Sequence, residues 1–342
     1  MYCSYIFLYQ PYEQFLAVTK ILTVGGDAIN EITSLDFDVT CHDFPTESFG
    51  IASGAVSGYI NDRPTFCGGL SPNYPVYCYQ YYYESKTFNK FDGVELHTGA
   101  FDGAYAQWRN SGIIVAGGRN GAGEDGILDI IQIITESDTK TWKMPNISIG
   151  ACLVNLHDDT FLLVSGLSIN IVNTPRSIII TPQDGSIEAE VSEGPLLNEM
   201  RHGHACSTLE KSGRRFIVAV GGYSGPFSPQ HHCEYLEIFG DNTLDTWKIC
   251  ANLPVPIANG QLLTDPESGD LILLGGTFSD NSGRPTQYYD TIYRLSAIDG
   301  EWIEQEKKLD VKRHSHTSMF VPDSQLPCNP NQQKLENIHN EL

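Results

Sequence analysis

Short apolar runs that end in paired glycines punctuate this chain at intervals of roughly 50 residues. They read Ile21 to Gly26, Pro64 to Gly69, Ile113 to Gly118, Leu162 to Gly166, Phe216 to Gly222 and Leu271 to Gly276. Five copies carry a full pair, Gly25–Gly26, Gly68–Gly69, Gly117–Gly118, Gly221–Gly222 and Gly275–Gly276, and the fourth has Ser165–Gly166. Runs this short and continuous match buried strands better than amphipathic helices. Small-residue stretches precede them, as in Gly150 to Val154, Gly203 to Ser207 and Asn259 to Leu263. A second β-favouring run follows, Ile127 to Ile134 or Tyr289 to Leu295, and then a segment bearing Trp142, Trp247 or Trp302, with Phe88 in that place in the second copy. Each unit therefore predicts four short strands.

A lone four-stranded sheet leaves two faces and two edges open, and stacking copies in a closed ring covers them. Repeats of this length with four strands predict propeller blades. Glycine at the end of the second strand allows a backbone conformation closed to other residues, small residues in the first strand suit the crowded axis, and Trp serves as a wedge between blades. The first copy lacks its own first strand, while Arg313 to Val321 looks like one with no glycine pair after it. The C-terminal strand is thus expected to complete blade one and close the ring. At 342 residues one propeller, 21–322, uses the chain, between an N-terminal segment 1–20 and a loose, Asn-, Gln- and Pro-rich tail 323–342.

With these motifs in place the chain resembles the kelch-repeat family, whose pattern joins a glycine pair ending strand two to a Trp in strand four and a Met-Pro or Leu-Pro connector. Here the connectors are Met144–Pro145 and Leu253–Pro254, and Arg201 to His204 opens a first strand as kelch repeats do. The fourth copy departs from the pattern, with Ile187 near the Trp position, and the first copy has no Trp. The resemblance covers about residues 20–322 and implies an all-β, six-bladed kelch-type β-propeller with four antiparallel strands per blade. It says little about activity, because one fold hosts many.

The net charge of −21 argues against nucleic acid and anionic membrane surfaces, which select basic footprints, and permits a basic protein partner. Residues 1–20 are aromatic but have no basic start, and Pro11 interrupts the apolar run, so neither a signal peptide nor a membrane span is expected there.

Candidate chemistry is sparse. Gly121, Gly123 and Gly126 have the spacing of a dinucleotide loop, but the β-type run that follows points to a hairpin. Asp299–Gly300 before Trp302 superficially suggests an Asp-box and is better read as a turn. His202, His204, His231, His232, His314 and His316 do not form a ligand set with metal spacing, so no metal or cofactor is expected. No nucleophile elbow or Cys–His signature is present. Asn146–Ile147–Ser148 is the single glycosylation sequon.

The nine cysteines are more informative. Cys67 and Cys78 sit on two strands of one hairpin, Cys233 and Cys250 on the third and fourth strands of blade five, and both pairs are candidate disulfides. Cys152 and Cys206, in neighbouring first strands, read as buried free thiols. Cys3, Cys41 and Cys328 flank blade one and the closure. An oxidised Cys67–Cys78 pair implies a secreted or extracellular protein, as in the secreted kelch-like animal proteins that the Cys-Gly-Gly strand resembles, with the cytoplasm as the alternative.

Every repeated residue is accounted for by blade packing, and none remains as a catalytic set. The expected function is therefore non-enzymatic binding of a protein partner by a monomeric propeller through loops on one face. The most variable loops nominate Arg119, Asn120, Glu124, Asp125, Tyr223, Phe227, His231, His232, Phe278, Arg284 and Tyr288. A glycan-binding or sugar-processing propeller is the rival and would draw on His97, Arg201, His204 and Arg313 at the channel mouth. An intracellular adaptor or cytoskeletal scaffold is a third reading.

Overall fold

The computed structural model describes residues 19–26, 32–35, 40–41, 53–70, 75–85, 87–121, 126–144, 149–167, 176–225, 228–280 and 284–322. Its strands in chain order are β1 (Thr19–Val24), β2 (Ile32–Leu35), β3 (Thr40–Cys41), β4 (Val56–Ile60), β5 (Arg63–Cys67), β6 (Tyr77–Tyr82) and β7 (Thr87–Glu95). Next come β8 (Ala104–Trp108), β9 (Gly112–Ala116), β10 (Ile130–Thr135), β11 (Thr139–Lys143), β12 (Cys152–His157), β13 (Thr160–Val164), β14 (Ser177–Thr181) and β15 (Glu190–Glu193). The last are β16 (Ala205–Lys211), β17 (Arg214–Val220), β18 (Tyr223–Ser224), β19 (Ser228–Pro229), β20 (Cys233–Ile238), β21 (Lys248–Cys250), β22 (Gln261–Thr264), β23 (Leu271–Leu274), β24 (Thr277–Ser279), β25 (Pro285–Tyr288), β26 (Ile292–Leu295), β27 (Ile303–Glu304) and β28 (Thr317–Pro322).

The chain is an all-β propeller. Five antiparallel four-stranded blades follow one another along it, numbered two to six after the sequence copies they contain: β4 to β7, β8 to β11, β12 to β15, β16-β17-β20-β21 and β22-β23-β26-β27. A further four-stranded sheet has the order β28-β1-β2-β3, with Ile21 opposite Phe320, and so joins the two ends of the described chain. The innermost strands touch in turn around the axis, β4 with β8, β8 with β12, β12 with β16, β16 with β22, β22 with β28 and β28 with β4. Small hairpins, β18–β19 and β24–β25, rise from the connections of the last two blades.

The core lies between sheets rather than inside one. Ile113 and Val115 of β9 pack with Val56 and Ile60 of β4, and Phe216 and Val218 of β17 pack with Leu271 and Leu273 of β23. Ile272 and Leu274 of β23 pack with Ile21 of β1, so this layer also runs between the last blade and the sheet of the two chain ends. Since second strands are covered on both faces, they read as continuous apolar runs, which is why they were the strongest signal in the sequence. The aromatic wedges are buried as expected but not all on the same side. Trp142 donates its indole N–H to Gln183 O of the following blade at 2.9 Å, whereas Trp247 donates to Pro195 O on the preceding side at 3.2 Å. In blade four, Ile187 is 76% exposed and wedges nothing.

The glycine pair does two tasks. Its first N–H bonds the start of the third strand in the same blade, as in Gly221 N–H to His232 O at 3.0 Å. Its second N–H reaches the next blade: Gly69 to Ala100 O, Gly166 to Arg201 O, Gly222 to Ile257 O and Gly276 to Arg313 O, at 2.8 to 3.1 Å. A Cβ on Gly221, at φ 67°, would stand 2.1 Å from Ile257 O. Blade four tolerates Ser165 in the same left-handed region, φ 51°, and its hydroxyl accepts from Arg201 N–H at 3.3 Å.

Among the described residues three disulfides are present. Cys67–Cys78 and Cys233–Cys250 join strands within a blade, with Cα separations of 4.1 and 5.1 Å. Cys152–Cys206, expected as two free thiols, is a third bond. β12 and β16 run side by side at the axis, which brings these Cα atoms to 5.9 Å and links blades four and five. The side chain of Cys41, and Cys3 and Cys328, lie outside the described residues.

Candidate functional site

The axis opens at the face where the second-to-third strand loops and the entries to the first strands meet. A closed ring of backbone hydrogen bonds encircles it. Ser315 N–H donates to Asn259 O, Asn259 to Gly203, Gly203 to Gly150, Gly150 to Asp102, Asp102 to Gly54 and Gly54 back to Ser315, at 2.6 to 3.3 Å. All six members have left-handed backbones, with φ between 48° and 67°. One member precedes each inner strand, and the residue types are those that tolerate this region: Gly, Asp, Asn and Ser.

Inside the collar lies a cavity of about 100 Å³, lined among others by Asp102, His204, Asn259, Gln261 and His316. Its floor is Tyr105, whose hydroxyl is 3.0 Å from Gln261 Oε1 and 2.7 Å from Thr317 Oγ1, and Thr317 is 2.5 Å from Ser57 Oγ. These four side chains come from four different sheets and tie them across the axis. Burial pushes the Asp102 carboxyl up to about 6, with Arg119 pulling the other way. Burial lowers His202 to about 4 and holds His204 and His316 well below the usual imidazole range, helped by Arg201 beside His204 and Arg313 beside His316. The mouth therefore presents neutral imidazoles, amides and hydroxyls together with the Asp102 carboxyl. Among the described residues no three His, Cys, Asp or Glu side chains are placed to hold a metal ion.

Of the residues nominated for sugar chemistry, only His204 lines this cavity. Arg201 is fully buried, donating to Gly221 O and His232 O at 3.1 Å and to Glu234 Oε1 at 2.5 Å, so it braces the glycine turn. Arg313, 1% exposed, donates to Gly25 O at the equivalent turn, and His97 is exposed on the connection from β7 to β8.

The nominated loop residues divide. Arg284 is exposed, Tyr288 is 38% exposed and meets the His314 ring at 5.1 Å, and Asn120 is exposed with its amide on Thr98 Oγ1 at 2.8 Å. His231 and His232 are half-exposed with rings 4.8 Å apart, and His232 Nδ1 is 2.5 Å from Glu199 Oε2. Arg119 is half-buried over the Phe101 ring, and Phe278 packs against the core. Tyr223 is a correction: expected at the surface, it is 8% exposed, because hairpin β18–β19 folds down and its hydroxyl meets Ser279 Oγ at 2.8 Å. Glu124, Asp125 and Phe227 lie outside the described residues. Sequence reasoning missed Asp102, Tyr105, Asn259, Gln261 and Ser315. The available signal was a Gly, Asp, Asn or Ser just before each first strand.

Comparison with protein-family models gives no match, and neither does comparison with curated proteins. Among solved structures the fold is similar to that of YjhT. The TM-score is 0.61 at 13% identity, covering 85% of this chain and 95% of that one. At that identity the likeness concerns the fold alone.

Proposed function

We propose that this chain is a non-enzymatic recognition module, a kelch-type propeller of six blades closed by its two ends, which binds a protein partner through its mouth face. The observation that carries this reading is the pair of hairpins on the last two blades. The Tyr223–Ser279 hydroxyl contact holds β18–β19 against β24–β25, and all four residues of β25, Pro285 to Tyr288, stand exposed beside Arg284. A pre-ordered platform bearing Tyr and Arg loses little freedom on binding and presents the side chains that dominate interfaces. The mouth cavity is small, is floored by Tyr105 and holds its histidines neutral.

The test compares cross-linked partners of the wild type with those of an Arg284→Ala/Tyr288→Ala variant. Both substitutions are at the surface, so the unfolding midpoint should be unchanged while the captured partner is lost. A folded variant that keeps the same partner would overturn the reading. The rival carbohydrate reading rests on His204 and its cavity, and predicts glycan-array signal lost in His204→Asn.

Three disulfides are the chemistry of an oxidising compartment, and we place the protein outside the cytosol on that ground. Alkylation of native-source protein before and after reduction, with peptide mapping, should show Cys67, Cys78, Cys152, Cys206, Cys233 and Cys250 as thiols that only reduction exposes. Free thiols at Cys67 and Cys78 in that sample would return the protein to the cytosol.

A further inference from the structure

On the opposite face, where the first-to-second and third-to-fourth strand turns lie, a cavity of about 260 Å³ opens between blades three and four. Its walls are aromatic and apolar, formed by Trp108, Trp142, Ile133 and Pro182. Its rim is charged. Arg109 lies over the Trp108 ring, 4.3 Å from the centroid, and forks onto Asp159 across the blade boundary, with Nε donating to Oδ1 at 2.9 Å. Lys140 pairs with Asp184 at 3.1 Å, again from blade three to blade four. The third rim carboxylate, Asp138, is exposed and its side chain has no partner among the described residues; its backbone carbonyl accepts from Thr135 and its backbone N–H donates to Thr135 Oγ1 at 3.2 Å. The Trp108 indole N–H, buried in the wall, also lacks an acceptor.

We infer that this cavity is a binding site for an arginine side chain supplied by a basic peptide or protein. The site already contains half of its own recognition scheme. Arg109 shows that the Trp108 ring and an aspartate together hold a guanidinium, and a second aspartate stands open on the same rim. Rim groups count two cations against three carboxylates, so an incoming anion meets Asp138 unpaired whereas a cation neutralises it. Indole walls favour the weakly hydrated, planar guanidinium over a compact ammonium. The whole chain, at −21, attracts basic partners before contact. The inference does not depend on the mouth-face reading, since the two surfaces lie at opposite ends of the blades.

The experiment follows the Trp108 indole N–H by NMR during titration with N-acetyl-argininamide, with acetate and glucose as comparison ligands and Trp108→Phe to assign the signal. The expected result is a saturable shift with argininamide only. Asp138→Asn should weaken binding roughly two- to fivefold, the worth of one exposed ion pair. Ser137→Lys, an exposed site that places a cation on the rim, should abolish it with the fold intact. A shift driven by acetate or glucose instead of argininamide, or equal affinity in all three proteins, would overturn the assignment.

Discussion

Gly221 and Gly213 lie at opposite ends of the same strand of blade five, with φ of 67° and 73°. A Cβ on Gly221 would stand 2.1 Å from Ile257 O, whereas one on Gly213 would meet nothing within 4 Å. At the mouth, neighbouring blades approach backbone to backbone beside Gly221; at the Gly213 turn no neighbouring atom comes within reach. The mouth is therefore intolerant of added atoms, and the turn face is where cavities and ion pairs between blades can form.

The sharpest way to break this comparison is to add one methyl at each end. Gly221→Ala must push the Ile257 carbonyl aside and break the Gly222–Ile257 hydrogen bond, a loss of about 4 kcal/mol or more. Gly213→Ala bears only the cost of a left-handed alanine, about 1 kcal/mol. Equal losses in denaturant titrations would mean that the blades are not held in backbone contact at the mouth.

The second largest effect concerns Cys152–Cys206, the disulfide between blades. It closes 54 residues against 11 for Cys67–Cys78. On the chain-entropy account these loops correspond to about 4 and about 3 kcal/mol. Replacing Cys152 and Cys206 by Ala should thus lower stability more than replacing Cys67 and Cys78. The reverse order would show that the link between blades adds nothing to ring closure.

Acid should act on the mouth before the turn face. His202 falls from 6.5 to about 4 on folding, and His204 and His316 are held well below their usual range. Between those values the unfolded chain binds protons that the folded one refuses, so this stability is full above about 6.5 and is lost as pH drops toward 4. Asp102 has the opposite sign: raised from 3.8 to about 6, it favours the fold at low pH, and that contribution is lost as pH rises through 6. Three imidazoles outweigh one carboxyl, so the thermal midpoint should fall on acidification, and fall further in Asp102→Asn. A midpoint that rises between pH 6.5 and 4 would show the imidazoles charged in the fold.

Legibility in the sequence follows the same division. Glycine pairs and cross-strand cysteines were readable because backbone conformation and pairing between sequence neighbours leave a local trace. Tyr223 was misread because an aromatic in a loop looks exposed until its hairpin folds down onto a neighbour. Cys152–Cys206, the Tyr105–Gln261–Thr317 tie and the Trp108 cavity were out of reach for a common reason: each is made by side chains from different blades, and no local spacing records how two inner strands face each other.

Blade four offers the smallest and finest test. Its Ser165 takes the left-handed conformation that glycine takes elsewhere, at a cost of about 1 kcal/mol, and recovers part of it through the Arg201 N–H to Ser165 Oγ bond at 3.3 Å. Ser165→Gly removes both the strain and the bond, so stability should change by less than about 0.5 kcal/mol. Ser165→Ala keeps the strain and removes the bond, and should lose about 1 kcal/mol. If the two variants match, the hydroxyl does nothing, and the mouth requires only the backbone shape. If Ser165→Gly is much the weaker protein, the hydroxyl holds Arg201 in place, and blade four has replaced a backbone device with a side-chain one at the end of the molecule where backbone otherwise rules.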